Sequence, residues 1–208
     1  SLMEMPYDPV HERVSAYTQV ILGQLLADEY GVGTHAVEDY PDLASLFRSH
    51  THTAMYRQMF DGLGVPPAEQ DVALLPEIAD NVLTQRLLAR DPAFSHLEAL
   101  ASVGLGMEWG VPEIFTLILG GLIRFARDTE TPLTPDHLEV FIAHVQYDVL
   151  HAVAVMMATS LHMHTNRDVD RVKEAVNALM AARHAMMDGV YRTVFGETCT
   201  PLAERSLE

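Results

Sequence analysis

His144, Asp148 and His151 interrupt an almost wholly apolar stretch from Phe141 to Met157. Their spacing is i, i+4 and i+7, so at about 3.6 residues per turn a helix carries all three on one face. Phe141, Val145, Ala152 and Val155 lie on or beside that face, so it points inward. A carboxylate and two imidazoles facing a dry interior are costly unless something balances them. Imidazole nitrogen and carboxylate oxygen are the donors that hold a non-haem iron, manganese or zinc ion. The face therefore suggests metal binding, with a buried hydrogen-bonded trio as the plain alternative.

Other residues could complete such a site. Glu108 is the single charge in the run from Ala99 to Pro112, where Gly104, Gly106 and Gly110 would let the helix approach a neighbour closely. Glu113 is the competing inward carboxylate, placed after the Gly110/Pro112 kink. Glu29 continues the apolar stripe of the first helix four residues after Leu25. Its position in the last turn also allows a solvated role. His52 lies beside the apolar stripe formed by Leu46, Met55, Tyr56, Met59 and Phe60, with His50 further round. His35, His162, His164 and His184 read as surface or helix-end residues. Met156, Met157, Met180, Met186 and Met187 read as core filler.

These residues must be positioned by helices, since nearly every long segment has helical periodicity and none alternates like a strand. The first helix spans about Pro9 to Tyr30, with Val14, Tyr17, Ile21, Leu25 and Leu26 inside, and stops at Gly31-Val-Gly33. A second runs from about Asp42 to Leu63. A third runs from Ala68 to Ala89, with Leu74, Ile78, Val82 and Leu87 as its apolar positions. Pro76 breaks it. His96 to Trp109 is helical, Gly110 and Pro112 kink the chain, and Glu113 to Arg127 resumes. The long helix of the opening trio follows Pro135 and ends near His164. An amphipathic helix from Asp168 to Phe195 carries Val172, Val176, Leu179, Met180, Met187 and Val190, interrupted by Arg183. The expectation is an all-α, single-domain bundle of about seven helices over residues 1–208, its motif-bearing core at about 9–196.

Composition narrows the partners. A chain of 208 residues suits one domain with a sizeable core. The net charge of −16 argues against nucleic acid or an anionic membrane. The most apolar run, Ile114 to Ile123, is too short to span a bilayer. The first residues lack a basic region followed by a long apolar core, so no secretory leader is expected. The single cysteine, Cys199, excludes a disulfide framework and suits a reducing cytoplasm. A homodimer is the default oligomer.

Together these elements resemble the haem-oxygenase-like di-iron oxidases and oxygenases, also labelled iron-containing redox enzymes. Members pair His-x3-Asp-x2-His on a late helix with an earlier glutamate. His144-x3-Asp148-x2-His151 fits that pattern, and Glu108 lies 36 residues before His144 with Pro112 following. Leu25-Leu-Ala-Asp-Glu-Tyr-Gly-Val-Gly33 resembles the first-helix stretch that supplies Glu29, and His52 to Gly64 resembles the segment supplying a histidine. His52 follows Glu29 by 23 residues, a longer gap than in some members, so His35 and His50 stay open as the early histidine.

The resemblance covers about Leu22 to Leu161. It implies a haem-oxygenase-like fold and six metal ligands: Glu29, His52, Glu108, His144, Asp148 and His151. Two iron ions would be held, with manganese as the alternative, and O2 as co-substrate. The implied activity is oxidation of a small organic substrate by hydroxylation, N-oxygenation, desaturation or oxidative C–C cleavage. Helical phase places Phe115, Leu119, Tyr147, Met180 and Met187 around that substrate. The rivals are a metal-free relative of the thiaminase or quinone-cofactor-synthase type, a haem oxygenase using His11, and a non-catalytic helical binding protein.

Overall fold

The long apolar helix that carries the histidine–aspartate motif is the axis about which the other helices are arranged. A computed structural model describes residues 9–29, 51–70 and 72–197, except for the side chain of Val103. Among them are seven α-helices of more than one turn and no strand: α1 (Pro9–Glu29), α2 (His52–Gly62), α3 (Pro76–Arg90), α4 (His96–Ala101), α5 (Val111–Thr129), α6 (Glu139–Leu161) and α7 (Asn166–Phe195). A single helical turn, Pro67–Gln70, precedes α3. Between α4 and α5 the chain passes through a π-helical segment, Ser102–Met107, and a 3-10 turn, Glu108–Gly110.

Local sequence explains most of the boundaries. Pro76 stands in the first turn of α3, where its missing N–H costs nothing, so the break expected there is a helix start. Glu98 reaches back to accept from the Ser95 N–H and hydroxyl at 2.6 and 2.8 Å, starting α4. Thr165 and Asp168 bond reciprocally at the head of α7, and Gly196 in the left-handed region (φ 72°) ends it. The second helix begins at His52, not near Asp42. Thr51 is extended and accepts from the Ala54 N–H, which caps the helix there. Residues 42–50 of that expected helix, and Tyr30, Gly31, His35, His50 and Cys199, lie outside the described residues.

α6 packs against α1, α2, α4, α5 and the π segment, while α3 and α4 lie along α7. Its polar trio is sandwiched between two apolar layers. On one side Val140 and Phe141 pack with Met55 and Met59 of α2 and with Phe115, Leu119 and Leu122 of α5. On the other side Val155 packs with Leu25 of α1 and Leu100 of α4. Full burial of each such side chain stabilises by about 1.5–3 kcal/mol, so the layers oppose the cost of the polar groups between them.

Several phase assignments shift. Tyr17 and Leu26, expected inside, are exposed. The buried side of α1 instead runs through Val14, Thr18, Ile21, Leu25 and Asp28. Leu74, which precedes α3, and Leu87 on it are exposed, and Leu88 fills the core. On α7, Met180, Met187 and Val190 are exposed, while Ala175 and Leu179 are buried; Met157 on α6 is exposed as well. These methionines are therefore surface residues and do not fill the core. A helix with apolar residues on both sides does not specify by its period alone which side faces inward.

The kink expected at Gly110 and Pro112 comes earlier, where α-helical geometry ends at Ala101. Two glycines explain how. A Cβ on Gly104 would lie 2.6 Å from Cγ1 of Val155 on α6, and one on Gly106 would lie 2.7 Å from Cδ2 of Leu179 on α7. Gly110, expected to make a close approach too, has open space around it. The π segment is thus wedged between α6 and α7, and its wider turn changes the direction in which Glu108 projects.

By length and mean hydropathy, the continuous helical stretches His96–Thr129 and Asp136–Leu161 reach the size of a membrane span. The shorter run Ile114 to Ile123 alone did not suggest this, because the continuity through the π and 3-10 turns is tertiary. The second stretch contains Asp148, His144 and His151 and is packed by six other elements.

Candidate metal centre

Three elements bring polar side chains to the middle of α6. α1 ends there with Asp28 and Glu29. α2 starts there with His52 as its first residue. The junction of the π segment and the 3-10 turn supplies Glu108. All six residues singled out by sequence fall into two groups: Glu29, His52 and His144, and Glu108, Asp148 and His151. Within each group one donor atom per residue lies within 4.8 Å of the others. Ligands about 2.0–2.2 Å from one ion can be as much as about 4.4 Å apart, so each group is close to a coordination sphere.

Hydrogen bonds set which ring nitrogen is available. Nδ1 of His144 meets the carbonyl oxygen of Val140, one turn earlier. A carbonyl only accepts, so Nδ1 carries the proton and Nε2 keeps a lone pair. Nε2 of His151 lies 2.8 Å from Oδ2 of Asp28. An ionised Asp28 requires that nitrogen to donate, which leaves Nδ1 as the free donor atom. This Nδ1 faces Oδ1 of Asp148 at 3.4 Å and Oε2 of Glu108 at 3.9 Å. A carboxylate holding the far nitrogen of a histidine is the arrangement that orients imidazoles toward metals. In the other group Nδ1 of His52 is 2.7 Å from Oε2 of Glu29, and its ring lies 4.4 Å from that of His144. Phe115 covers His144 from the far side, with ring centroids 4.7 Å apart.

The electrostatics are unbalanced without a cation. Asp28, Glu29, Glu108 and Asp148 gather around three histidines. Burial, and then the Asp148 charge, push the Glu108 carboxyl up to about 7. His151 is pushed up to about 9 by the Asp148 carboxylate against the effect of burial, with Asp28 and Glu108 adding to the rise. For His52, burial lowers the affinity for a proton, but the bond to Glu29 and the charges of Glu29, Asp148 and Glu108 together make the net shift upward. Burial alone would raise Glu29, but the bond to His52 together with the charges of His52, His144 and His151 brings the net shift down. Two atoms of these donor groups, Oδ2 of Asp148 and Nδ1 of His151, are among the buried side-chain atoms with no hydrogen-bond partner. Orphaned buried groups of this kind cost about 1–3 kcal/mol each.

The same residues border a cavity of about 30 Å³ lined by Asp28, His52, Met55, His144, Asp148 and His151, among others. It is large enough for ions or a water and too small for an organic molecule. Three nitrogens and three carboxylates form a borderline-hard donor set suited to iron, manganese or zinc. By donor chemistry, tautomer and unsatisfied atoms, the residues fit a two-metal site. The chain matches no family model, no curated protein and no solved structure. The functional reading therefore rests on these residues.

Glu113, the competing carboxylate, is exposed, while the Glu108 side chain is 13% exposed. Phe115 and Leu119 belong to the apolar layer below the site, and Tyr147 lines the small cavity. Met180 and Met187 do not join them, because they point outward from α7. His184 is exposed beside Asp188, and His164 is exposed.

Two contributors escaped the sequence. Asp28 was passed over because Glu29 continued the apparent stripe, yet the phase set by Leu25 and Ile21 turns Asp28 inward. Arg183 seemed an interruption of the α7 stripe. Its Nη1 donates to the carbonyl oxygens of Gly106 and Met107 at 2.6 and 3.0 Å, which the π geometry leaves to be satisfied. A cation on a core stripe opposite a glycine-rich kink was the signal that could have found it.

Proposed function

We propose that the protein is a non-haem di-iron oxidase or oxygenase of the haem-oxygenase-like kind, oxidising a small organic substrate with O2. The observation that supports this reading best is the pair of three-residue donor groups joined across α6, with buried donor atoms that lack partners. Glu29, His52 and His144 would hold one ion, and Glu108, Asp148 and His151 the other. When bound, a pair of ferrous ions supplies electrons and open positions for activating O2; manganese is the alternative.

The chain's own residues have distinct tasks. Asp28 fixes the tautomer and direction of His151, and the Val140 carbonyl does the same for His144. Arg183 pins the turn that projects Glu108. Glu108 can hold a proton near neutral pH when its ion is absent, which keeps the carboxylates from repelling one another. Phe115, Phe141 and Met55 exclude water from the inner side, a requirement when a reactive oxidant must not be quenched. Tyr147, at the cavity and partly exposed, marks the side from which a substrate would approach. Leu117, Val149 and Leu150, exposed on α5 and α6, support a homodimer built on these helices.

Anaerobic loading with ferrous iron, followed by metal analysis and O2-electrode measurements with candidate carboxylic acids and amines, tests the proposal. About two irons per chain and O2 uptake coupled to a product are expected. Failure of the parent to take up iron, or uptake undiminished in both Asp148→Ala and Glu108→Ala, overturns it in favour of a metal-free enzyme or a binding protein.

A further inference from the structure

A second concave site lies at the other end of α1. It is a cavity of about 570 Å³ between the first two-thirds of α1, the end of α3, α4 and the residue that caps α6. That volume is within the range of about 300–1,000 Å³ typical of small-molecule sites. Leu25, Leu100 and Val155 pack together between this cavity and the donor groups. Along α1 the cluster falls between Leu22, in the cavity wall, and Asp28. Along α6 it falls between His162 and His151. The two sites are therefore distinct.

The lining restricts the charge of an occupant. Leu22, Ala89, Ala99 and Leu100 form apolar wall, and no aspartate, glutamate, lysine or arginine lines the cavity among the described residues. An ion of either sign would leave water without a fixed counter-charge, which is costly. A neutral molecule with an apolar body avoids that cost and gains by burial.

The polar end restricts the head group. The Thr18 hydroxyl donates to the Val14 carbonyl oxygen at 2.9 Å, which uses its single hydrogen. The 2.9 Å contact between that hydroxyl and Nε2 of His162 therefore requires the nitrogen to donate. A neutral His162 then accepts at Nδ1, 3.2 Å from Nε2 of His96, which donates. Burial, followed by the nearby His96, His164 and His11, lowers the proton affinity of His162, in keeping with a neutral ring. With its hydrogen committed at Nε2, a neutral His96 keeps a lone pair on Nδ1 and has nothing further to donate. The Thr18 oxygen likewise has only acceptor capacity left. His162 also caps the C-terminus of α6, the negative end of that helix's dipole. This end of the cavity accepts hydrogen bonds and disfavours an anion. Ser15 and Gln19, further polar groups of the lining, bond to each other at 3.2 Å.

We propose that the cavity between α1, α4 and the C-terminal end of α6 is a second binding site, for a neutral molecule with an apolar body and a hydroxyl head. The hydroxyl donates to Nδ1 of His96, at the end of the Thr18–His162–His96 relay. The site does not depend on the metal reading.

Three naphthalenes of similar size provide the probes: 2-naphthol, 2-methoxynaphthalene, which keeps the oxygen but cannot donate, and the anion 2-naphthoate. Each is titrated with the full chain at about pH 8, where the naphthol is un-ionised, and followed by its own fluorescence. Saturable one-to-one binding of the naphthol is expected, about fivefold tighter than the ether, with the naphthoate weakest. His96→Phe should abolish the preference for the naphthol over the ether while leaving ether binding unchanged. Ala99→Trp, which fills the cavity, should weaken both, and Leu22→Trp, from the exposed rim, provides the same test if Ala99→Trp does not fold. Asp148→Asn, in the metal centre, should leave naphthol binding unchanged. The proposal is overturned if the ether or the naphthoate binds as tightly as the naphthol, or if the preference survives in His96→Phe. It is overturned equally if a folded cavity-filling variant binds like the parent, or if Asp148→Asn abolishes binding.

Discussion

The two donor groups are alike in composition, each with nitrogen and carboxylate, but they are built differently. Glu108, Asp148 and His151 come from the interior of elements held on several sides. The Asp148 side chain is 5% exposed, His151 is oriented by Asp28, and Glu108 hangs from a turn bonded to Arg183. Glu29, His52 and His144 join two helix ends to the middle of α6, and the Glu29 side chain is 46% exposed. A helix end frays more readily than a packed interior, and an exposed carboxylate has water as an alternative partner. On the proposed metal reading, preorganisation would favour tight retention of an ion in the first group and easy exchange in the second.

The largest effect should come from breaking the buried group. Asp148→Ala is expected to take the tightly held iron that survives gel filtration from about one per chain to near zero, whereas Glu29→Ala should leave that iron in place and lose only the exchangeable one, as read by metal analysis before and after gel filtration. Equal losses in the two variants would remove the distinction between the groups.

Asp28→Asn should weaken retention of the buried ion about 10–100-fold, because the amide no longer fixes the His151 tautomer. The exchangeable ion should change little, which a competition titration with a chromophoric chelator can resolve into two phases. Arg183→Met is expected to lower stability by about 1.5–3 kcal/mol, through loss of two charge-assisted hydrogen bonds to backbone carbonyls. Chemical denaturation measures that loss, and an unchanged midpoint would show that the turn holds Glu108 without Arg183.

The smallest effect is the pH dependence of the metal-free protein. His151 is raised from 6.5 to about 9, so its contribution is fully present below about pH 6.5 and is lost as pH rises through about 9. Glu108 is raised from 4.5 to about 7, and its contribution is likewise present below about pH 4.5 and lost as pH rises through about 7. Both act in one direction, so the melting temperature without metal should fall from about pH 6 to about pH 9. Cation binding displaces these protons, so the increase in melting temperature on adding Mn2+ should be larger at the alkaline end. A metal-free melting temperature that rises over this interval would contradict the electrostatics of the buried group.

Particular residues show how far the chain could be read without coordinates. The trio on α6 was legible because its spacing coincides with the helical period and its surroundings are apolar. Glu108 was legible as a solitary charge in an apolar run. His52 was selected over His35 and His50 on weaker grounds. The structure brings it to Glu29, while the other two fall outside the described residues. Asp28 was missed because rotating a stripe by one residue changes which of two adjacent acids faces inward, and α1 is apolar enough on both sides to hide the difference.

The amino-acid sequence alone determined that the chain is helical and where most helices start, because caps, prolines and periodicity act over a few residues. It also determined which side chains have the chemistry to hold a metal. Only the tertiary structure decided that Gly104 and Gly106 admit a π turn between α6 and α7, that Arg183 satisfies that turn, and that Asp28 stands behind His151. Each of those depends on contacts between residues distant in the chain, and local preferences carry no information about such contacts.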